Sequence, residues 1–283
     1  MTTCCFYHRG CTDGFGAALV VRLHLQMKRD FVPLVEVEFI PVQYGDEAPD
    51  VTGKDVIIVD FSWPREVLLR METQANSIVV LDHHQSAESE LADLDFCIFD
   101  TSKSGVVLAF EFFFPDSIIP DLFLYLQDRD LWQWKMPQSR EVNAAIRSYP
   151  FDFELWTSFL EYGKMKNLVV EGKAIVRYQD QQIRIALPHA ELVEIGGHQV
   201  PCLNATHLTS EIAHELIGDY PFAAVYYDVK DNKRVFQLRS KEGGIDVSEI
   251  AKLYGGGGHR AAAGFTIQIG HTGLEEWGLE RLL

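Results

Sequence analysis

The chain has 283 residues, of which 47% are hydrophobic and 23% are charged, and its formal net charge is −16. This length suits two domains, and this composition argues against long disordered segments. The negative charge argues against attraction of long duplex DNA, because nonspecific binding of nucleic acid depends largely on Lys and Arg neutralising phosphates. A small anionic substrate remains compatible, because divalent cations or a few arginines can reverse the charge of one crevice.

No apolar run in the sequence approaches the roughly 20 residues that span a bilayer, and the amino terminus shows no signal-like segment. We therefore expect a cytoplasmic protein with no membrane partner. The five cysteines are odd in number and lack a paired zinc-knuckle spacing. We expect them to be reduced thiols, without a disulfide framework.

Three short apolar runs in the first half of the chain each end in acidic or imidazole side chains. These runs are 4–7 before His8, 56–59 before Asp60, and 77–81 before Asp82, His83 and His84. Such runs fit strands that are buried on both faces of a parallel sheet, and open α/β sheets bind ligands beyond the carboxyl ends of their strands. The sequence therefore predicts that these polar side chains meet in one crevice as a metal site.

The other patterns in the first half predict alternating helices and strands. They are a helix over 14–27, strands over 39–44 and 95–99, a helix over 105–114 that Pro115 ends, and a helical segment from Asp121 towards 127–132. This order predicts a larger, mostly parallel sheet flanked by helices on both faces. A charged segment over about 167–185, compatible with a helix, is predicted to connect two bodies.

The second half predicts a smaller α/β domain. Its expected elements are strands over 199–204, 222–227 and 234–240, helices over 210–217 and 247–254, and a run of four glycines at 255–258. We therefore expect two α/β domains over 1–165 and 189–283, joined by a connecting helix over 166–188, with the active-site cleft between them.

The clustered carboxylates and imidazoles suit Mn²⁺, Mg²⁺ and related ions, and a two-ion site needs bridging as well as terminal ligands. The first candidates are Asp13, Asp60, His83 and Asp128. Two such ions could activate water and clamp a phosphoryl oxygen for in-line attack on phosphorus. For any single acid, a helix cap or a solvated loop group is the commoner role. The combined pattern favours the metal site.

The glycine run at 255–258 permits backbone conformations that turn successive N–H groups inward as an anion-binding nest, which suits phosphate. A bare glycine run is more often a flexible loop, but the following His259-Arg260 and 261–264 favour close packing. Arg239 is a second candidate phosphate clamp, although an exposed arginine on a strand is usually just solvated.

Six segments that contain these residues follow one another in a specific order and spacing. They are HRGCTDGFGAA at 8–18, VDFS at 59–62, LDHH at 81–84, QDRDLW at 127–132, FQLRS at 236–240 and GGGGHRAAAGF at 255–265. Over essentially the whole chain, this series resembles the DHH phosphoesterases with a DHH-associated carboxyl-terminal domain, which include RecJ-type exonucleases and nanoRNases.

The resemblance implies a phosphodiesterase with two divalent ions, most simply Mn²⁺, in the first domain. The implied metal ligands are His8, Asp13, Asp60, His83 and an aspartate of the 128–130 segment, for which we choose Asp128 over Asp130. Asp82 would orient its neighbours, and His84 would lie near the scissile phosphate. The residues expected to contact substrate from the second domain are Arg239, Ser240, Gly256, Gly257, Gly258 and His259.

Cys11 departs from the family pattern, because many relatives carry an aspartate two positions before the residue that matches Asp13. A thiolate is softer than a carboxylate. As a ligand, Cys11 would weaken one site for Mn²⁺ or favour Fe²⁺, Co²⁺ or Zn²⁺. The alternative is that Cys11 only packs beneath its loop.

The resemblance and the acidic composition together predict hydrolysis of very short linear oligonucleotides or dinucleotides, such as pGpG, to mononucleotides. Phe265 or Tyr254 are candidates to stack on a base, although either residue type is more often part of a core. Two alternatives are a RecJ-type exonuclease on long single strands and a nucleotide-binding sensor that has lost catalysis. A homodimer is compatible with the sequence.

Overall fold

The computed structural model describes residues 2–29, 36–161 and 163–269. The chain divides into two compact units, 1–176 and 177–283. This division falls inside the predicted connecting segment 166–188, and the predicted domain bounds stay a prediction, with 270–283 outside the described residues. Within the described ranges, no helix is both long enough and apolar enough to cross a membrane.

The first unit contains a five-stranded sheet in the order β2-β1-β3-β4-β5. Its strands are β1 (Thr2–His8), β2 (Glu36–Val42), β3 (Asp55–Val59), β4 (Ser77–Asp82) and β5 (Cys97–Phe99). Every pairing between neighbouring strands is parallel. The parallel sheet that the sequence predicts is therefore confirmed, although with five strands it is not the larger of the two sheets.

The helices of the first unit follow the strands as the alternating pattern predicts. They are α1 (Thr12–Arg29), α2 (Arg65–Gln74), α3 (Gln85–Leu91), α4 (Gly105–Phe113), α5 (Asp121–Asp130), α6 (Ser139–Ser148), α7 (Phe153–Ser158) and α8 (Lys164–Ala186). Helix α8 is continuous across the division between the two units. Helices α2, α3, α6 and α7 were not anticipated from the sequence.

Both faces of the first sheet are covered by apolar cores. Along β1, Cys5 belongs to a core with α1 and α4, whereas Cys4 and Phe6 belong to a second core with Val56 and Ile58 of β3. This alternation follows from the period-2 direction of strand side chains. A strand that is covered on both faces needs a continuous apolar run, which is why these strands were recognisable in the sequence.

Strand register places the predicted site residues beside one another. Tyr7 of β1 pairs with Val59 of β3, which in turn pairs with Leu81 of β4. The next residues along the three strands therefore lie at the same edge of the sheet. Strand order reverses direction between β1 and β3, and this is the position where open α/β sheets form a ligand crevice.

The second unit is built on a six-stranded mixed sheet in the order β10-β11-β9-β8-β7-β6. Its strands are β6 (Glu191–Ile195), β7 (His198–Asn204), β8 (Phe222–Val229), β9 (Lys233–Ser240), β10 (Gly257–His259) and β11 (Ala262–Gln268). Between residues 177 and 269, the 3₁₀ turn Leu187–His189 precedes them, and the helices α9 (Thr209–Leu216) and α10 (Val247–Lys252) accompany them.

The glycine run differs from the loop that a bare run of glycines suggests. Gly257–His259 forms β10, which pairs antiparallel with β11. The amides of Gly255 and Gly256 donate to the carbonyls of Lys252 and Ala251 at the end of α10. Most of the glycine run therefore either caps the end of α10 or extends the sheet.

Candidate metal centre

The carboxyl edge of the first sheet brings together a cluster of acids and imidazoles. The Nε2 atom of His83 lies 3.0 Å from Asp60 Oδ1, 3.8 Å from Asp13 Oδ2 and 3.7 Å from Asp130 Oδ2. The Nδ1 atom of His8 lies 3.7 Å from Asp60 Oδ2. Five side chains from β1, α1, the β3 and β4 ends and α5 therefore converge within one small volume.

Two groups of candidate ligand atoms overlap at Asp60. In one group, atoms of Asp13, Asp60 and His83 all lie within 4.8 Å of one another. In the other, atoms of His8, Asp60 and His84 meet the same limit. Asp60 uses Oδ1 towards His83 and Oδ2 towards His8. A carboxylate placed between two groups in this way is suited to bridge two cations.

Asp60 is held in a strained backbone conformation. Its φ angle is +54°, in the left-handed region that costs non-glycine residues free energy. The residue is 1% exposed, and within the described residues Oδ2 accepts no hydrogen bond. A buried carboxylate oxygen of this kind needs a cationic or donor partner. This observation shows that the site fits a metal ion.

Asp13 is fixed by the first turn of α4. Its Oδ2 accepts a hydrogen bond of 2.5 Å from the Gly105 amide, and its Oδ1 accepts one of 3.1 Å from the Val106 amide. The position of Gly105 leaves no room for a side chain, because an added Cβ would lie 2.6 Å from Asp60 Cβ and 2.8 Å from Asp13 Oδ2. Glycine therefore lets α4 approach both acids.

The electrostatics of the cluster favour a bound cation. Burial, together with repulsion from Asp130 and Asp60, raises the pKa of Asp13 well above its ordinary value. Burial also raises the pKa of Asp130. For Asp60, burial acts in the same direction, but attraction to His8 and His83 outweighs it and the pKa falls below its ordinary value. A divalent ion would favour the ionised form of all three acids.

Asp82 organises the end of β4. It is fully buried, and its Oδ1 accepts the His83 amide at 2.8 Å and lies 2.6 Å from Nδ1 of His84. Its Oδ2 accepts the Ser62 hydroxyl at 2.5 Å. Burial acts to lower the pKa of His84, but attraction to Asp82 outweighs burial and raises it. Asp82 thus orients His84 and favours its cationic form.

The structure places Asp130, and not Asp128, beside His83. The carboxylate of Asp128 accepts the amides of Lys135 at 2.8 Å and Met136 at 3.2 Å. Its carbonyl accepts the amides of Gln133 and Trp134. Asp128 therefore stabilises the turn after α5, while Asp130 faces the cluster.

In the second unit, Arg239 and His259 share one row of the sheet. Arg239 pairs with Ala262, which pairs with His259 across β11. Two strand spacings, about 10 Å, therefore separate the two backbones. One guanidinium nitrogen of Arg239 donates to the Ser210 hydroxyl at 2.8 Å, whereas Ser240 is 6% exposed and its amide donates to the Ala261 carbonyl.

The predicted glycines differ in their surroundings. An added Cβ would lie 2.1 Å from the Gly264 carbonyl at Gly256, and 2.6 Å from the Ala262 carbonyl at Gly258, but would meet nothing within 4 Å at Gly257. Phe265, one of the two candidates for base stacking, is 3% exposed and stacks between Phe236 and Tyr254. It is a core residue, and its ring faces are not available to a base.

Comparisons with known proteins agree with this architecture. Residues 207–273 match the DHHA1 domain. The uncharacterized protein R106 of Acanthamoeba polyphaga mimivirus is 30% identical over 276 residues, which cover 91% of this chain and 66% of the viral protein. This chain therefore spans just under two thirds of the length of that relative. Oligoribonuclease NrnB of Bacillus subtilis is 24% identical over 92% of this chain and 72% of its own length.

A solved DHH domain, from a member of a family of ribosomal proteins, superposes with a TM-score of 0.62 at 16% identity and covers 93% of this chain and 82% of its own. This likeness shows the fold. Together with the DHHA1 match, it supports a DHH family member with a DHHA1 domain. The family resemblance and the two-part α/β fold inferred from the sequence are thereby confirmed.

In this DHH-family chain, Cys11 lies at the start of α1, where its carbonyl accepts the Phe15 amide at 3.1 Å. Its side chain is half-buried. Burial, followed by repulsion from Asp60, Asp130 and Asp13, raises the pKa of the Cys11 thiol. Within the described ranges, Cys11 belongs to neither group of clustered ligand atoms that shares Asp60. Its role as a ligand stays a prediction.

Three residues of the site are not predicted by the sequence patterns. The helical pattern over 105–114 does not single out Gly105, the 59–62 segment does not single out Ser62, and Asp128 is preferred to Asp130 in the 128–130 segment. Residues two positions apart on an α-helix point in nearly opposite directions, about 200° apart. Either aspartate could have faced the cluster, and only the packing of α5 selects between them.

Proposed function

We propose that this protein is a metal-dependent phosphodiesterase that hydrolyses very short linear oligonucleotides or dinucleotides to mononucleotides. The observation that carries the proposal is the position of the Asp60 carboxylate. One of its oxygens lies near Asp13 and His83, and the other lies near His8. Carboxylate and imidazole ligands of this type suit Mn²⁺ and related ions, and we propose Mn²⁺ as the ion in both sites.

We assign Asp13, Asp60, His83 and Asp130 to one ion, so that Asp130 replaces Asp128 as the proposed ligand. We assign His8 and Asp60 to the second ion, with Cys11 as the remaining candidate. Divalent ions at these positions would supply Lewis-acid catalysis by polarising a phosphoryl oxygen and lowering the pKa of water. Among the residues assigned to the first ion, Asp13, Asp60 and His83 are buried deeply enough for such electrostatic effects to be strong.

The protein's own contribution centres on the pair formed by Asp82 and His84. With Nδ1 directed at Asp82, the imidazole of His84 presents Nε2 away from that carboxylate. The raised pKa of His84 favours the cationic form, in which Nε2 can donate a hydrogen bond to a phosphate oxygen. We therefore propose that His84 binds the scissile phosphate and can transfer a proton to the leaving oxygen.

Two observations support a short substrate. The formal charge of −16 disfavours long polyanions, and the bacterial relative that is 24% identical is an oligoribonuclease. We propose that Arg239, Ser240, His259 and the glycines at 256–258 bind the remainder of the nucleotide. The preference for pGpG, the cytoplasmic location and homodimer formation stay predictions.

The deciding experiment is turnover of 5′-phosphorylated di-, tri- and decanucleotides with Mn²⁺, Mg²⁺ or Co²⁺. We expect metal-dependent hydrolysis of the dinucleotide. The rate of hydrolysis should be much lower for the decanucleotide, and His83→Ala should abolish activity. His189→Ala, at an exposed histidine of the 3₁₀ turn, is the matched control. Sustained degradation of the decanucleotide would instead identify a RecJ-type exonuclease. Binding without product under every metal would identify a sensor.

The ligand role of Cys11 has a separate spectroscopic test. If Cys11 binds one ion, the Co²⁺-loaded protein shows a thiolate-to-cobalt charge-transfer band in the near ultraviolet, and Cys11→Ala removes this band. Cys202→Ala, which removes a buried cysteine of the second unit, should keep it. An unchanged spectrum and unchanged metal content in Cys11→Ala would eliminate the ligand role.

A further inference from the structure

One exposed aromatic ring lies against the histidines of the metal centre. Tyr44 follows β2 and is 55% exposed. Its ring centroid lies 5.8 Å from that of His8 and 6.1 Å from that of His84, in both cases edge to face. On another side it packs at 5.0 Å against Phe61, which follows the bridging Asp60. Tyr44 therefore presents a large apolar surface to solvent at a site otherwise lined by charged groups.

The turn that carries Tyr44 is firmly held. The Asp46 amide donates to the Gln43 carbonyl at 3.0 Å, and Asp46 Oδ2 accepts the Gln43 amide at 3.1 Å and Arg9 at 2.7 Å. The Asp46 carbonyl accepts the indole N–H of Trp63 at 3.0 Å. Four hydrogen bonds thus fix the backbone on which the ring is mounted. A rigidly mounted ring costs little entropy when a ligand packs on it.

This arrangement is unlike the burial that explains most aromatic side chains. Phe61 and Trp63, which neighbour Tyr44 or its turn, are 1% and 3% exposed and belong to the core. Tyr44 adds little to that core, because more than half of its surface faces solvent. A ring that is rigid, exposed and in contact with the two histidines nearest a phosphate site has the properties of a stacking platform.

We propose that Tyr44 stacks on the nucleobase next to the scissile phosphate, and so makes the enzyme selective for nucleotides over other phosphodiesters. The proposal rests on the proposed function, because it assumes that His84 binds the scissile phosphate. A nucleobase is separated from its own phosphate by one ribose, so a single nucleotide can contact both side chains. This assignment replaces Phe265, which is buried.

The first test is a cycle of enzyme and substrate changes. Wild type, Tyr44→Ala and Tyr44→Phe are assayed on 5′-phosphorylated diadenylate and on two analogues that lack either the 5′ or the 3′ base. We expect Tyr44→Ala to lower kcat/KM for the diadenylate about 5-fold to 150-fold, the range that corresponds to loss of one stacked base. The same variant should leave kcat/KM unchanged for the one analogue that lacks the stacked base.

Tyr44→Phe should keep most of the activity, because phenylalanine preserves the ring. Tyr178→Ala is the matched control, since Tyr178 is 62% exposed on α8 and its loss should leave turnover of all three substrates unaffected. An equal loss on the diadenylate and on both analogues would show that Tyr44 does not contact a base. That result would overturn the inference while leaving the phosphodiesterase assignment intact.

A binding measurement separates the inference from the proposed function. The probe is a dinucleotide that contains 2-aminopurine and a non-hydrolysable phosphonate linkage, titrated with wild type and the Tyr44 variants in Mn²⁺. Stacking should quench its fluorescence with wild type and Tyr44→Phe but not with Tyr44→Ala. Quenching without turnover of any natural dinucleotide would support the inference and contradict catalysis. Quenching that survives in Tyr44→Ala, or no binding to wild type, would overturn the inference.

Discussion

The two sheets of this protein treat their polar side chains in different ways. In the first sheet, all pairings are parallel, and the ends of β1, β3 and β4 deliver acids and imidazoles to one edge. In the mixed sheet of the second unit, polar side chains find partners within the protein. Arg234 binds Asp228 through two hydrogen bonds and lies over the ring of Tyr226, and Arg239 binds Ser210.

The first unit concentrates acidic groups whose ionised forms or backbone conformation are energetically unfavourable without a cation. Asp13 and Asp130 have raised pKa values because burial and repulsion from Asp60 disfavour their ionised forms. The backbone of Asp60 is strained, and its Oδ2 lacks a hydrogen bond within the described residues. A bound cation would offset the electrostatic costs, whereas the second unit has no comparable cluster among its described residues. Metal removal should therefore affect the first unit far more than the second.

The largest expected effect comes from Asp60→Asn. Asparagine tolerates the left-handed φ at this position, so the change removes the charge without adding backbone strain. We expect metal affinity to fall by about 100-fold or more, since even residues outside the first coordination shell change it 10- to 100-fold. Isothermal titration with Mn²⁺ measures this affinity. Asp50→Asn, in an exposed turn, is the control, and equal affinity for wild type and Asp60→Asn would rule out the bridging role.

The second-largest expected effect distinguishes the role of Asp130 from that of Asp128. Asp130→Asn should lower Mn²⁺ affinity about 10- to 100-fold, because it removes a carboxylate that lies 3.7 Å from His83 Nε2. Asp128→Asn should mainly lower the melting temperature, because it weakens the bonds to the Lys135 and Met136 amides. Titration and thermal unfolding of both variants would separate the roles. The reverse pattern would restore Asp128 as the ligand.

Alanine substitutions at two glycines should affect metal affinity in the first unit and stability in the second. Gly105→Ala should lower Mn²⁺ affinity about 10-fold, because the new Cβ displaces Asp13 or Asp60. Gly256→Ala should cost about 1–3 kcal/mol of stability through overpacking against β11, with Mn²⁺ affinity unchanged. Gly16→Ala is a control for packing in the first unit, because the atoms nearest its added Cβ would belong to the side chains of Leu126 and Val106. Loss of metal affinity in Gly256→Ala would contradict this division.

The smallest expected effect is a dependence of stability on pH. Groups whose pKa is raised on folding contribute stability at low pH, and this stability is lost as pH rises through the folded pKa. Asp13, Asp130 and His83 all have raised pKa values. The metal-stripped protein should therefore melt at a lower temperature as pH rises from about 5 to 8. Asp13→Asn should flatten this slope, and saturating Mn²⁺ should reverse it. A slope that is identical in Asp13→Asn would exclude Asp13 as its source.

Sequence patterns predicted the elements that depend on local rules. The runs before His8, Asp60 and Asp82 became β1, β3 and β4 because a strand covered on both faces must be continuously apolar. Helix α8 was recognisable from its long charged segment. Helices α2, α3, α6 and α7 were missed. The glycine run was harder to interpret, because β10 forms only through pairing with β11.

Local sequence patterns alone predicted the family resemblance, the parallel arrangement of the first sheet and the convergence of His8, Asp60 and His83. The convergence follows because parallel strands end at one edge. Packing between elements selects which aspartate of α5 faces His83, requires glycine at position 105, and leaves the ring of Tyr44, but not that of Phe265, exposed. Each of these depends on the rotation of a helix or on contacts between residues distant in sequence. Strand and helix periodicity cannot specify such contacts, because it describes only the direction of a side chain relative to its own element.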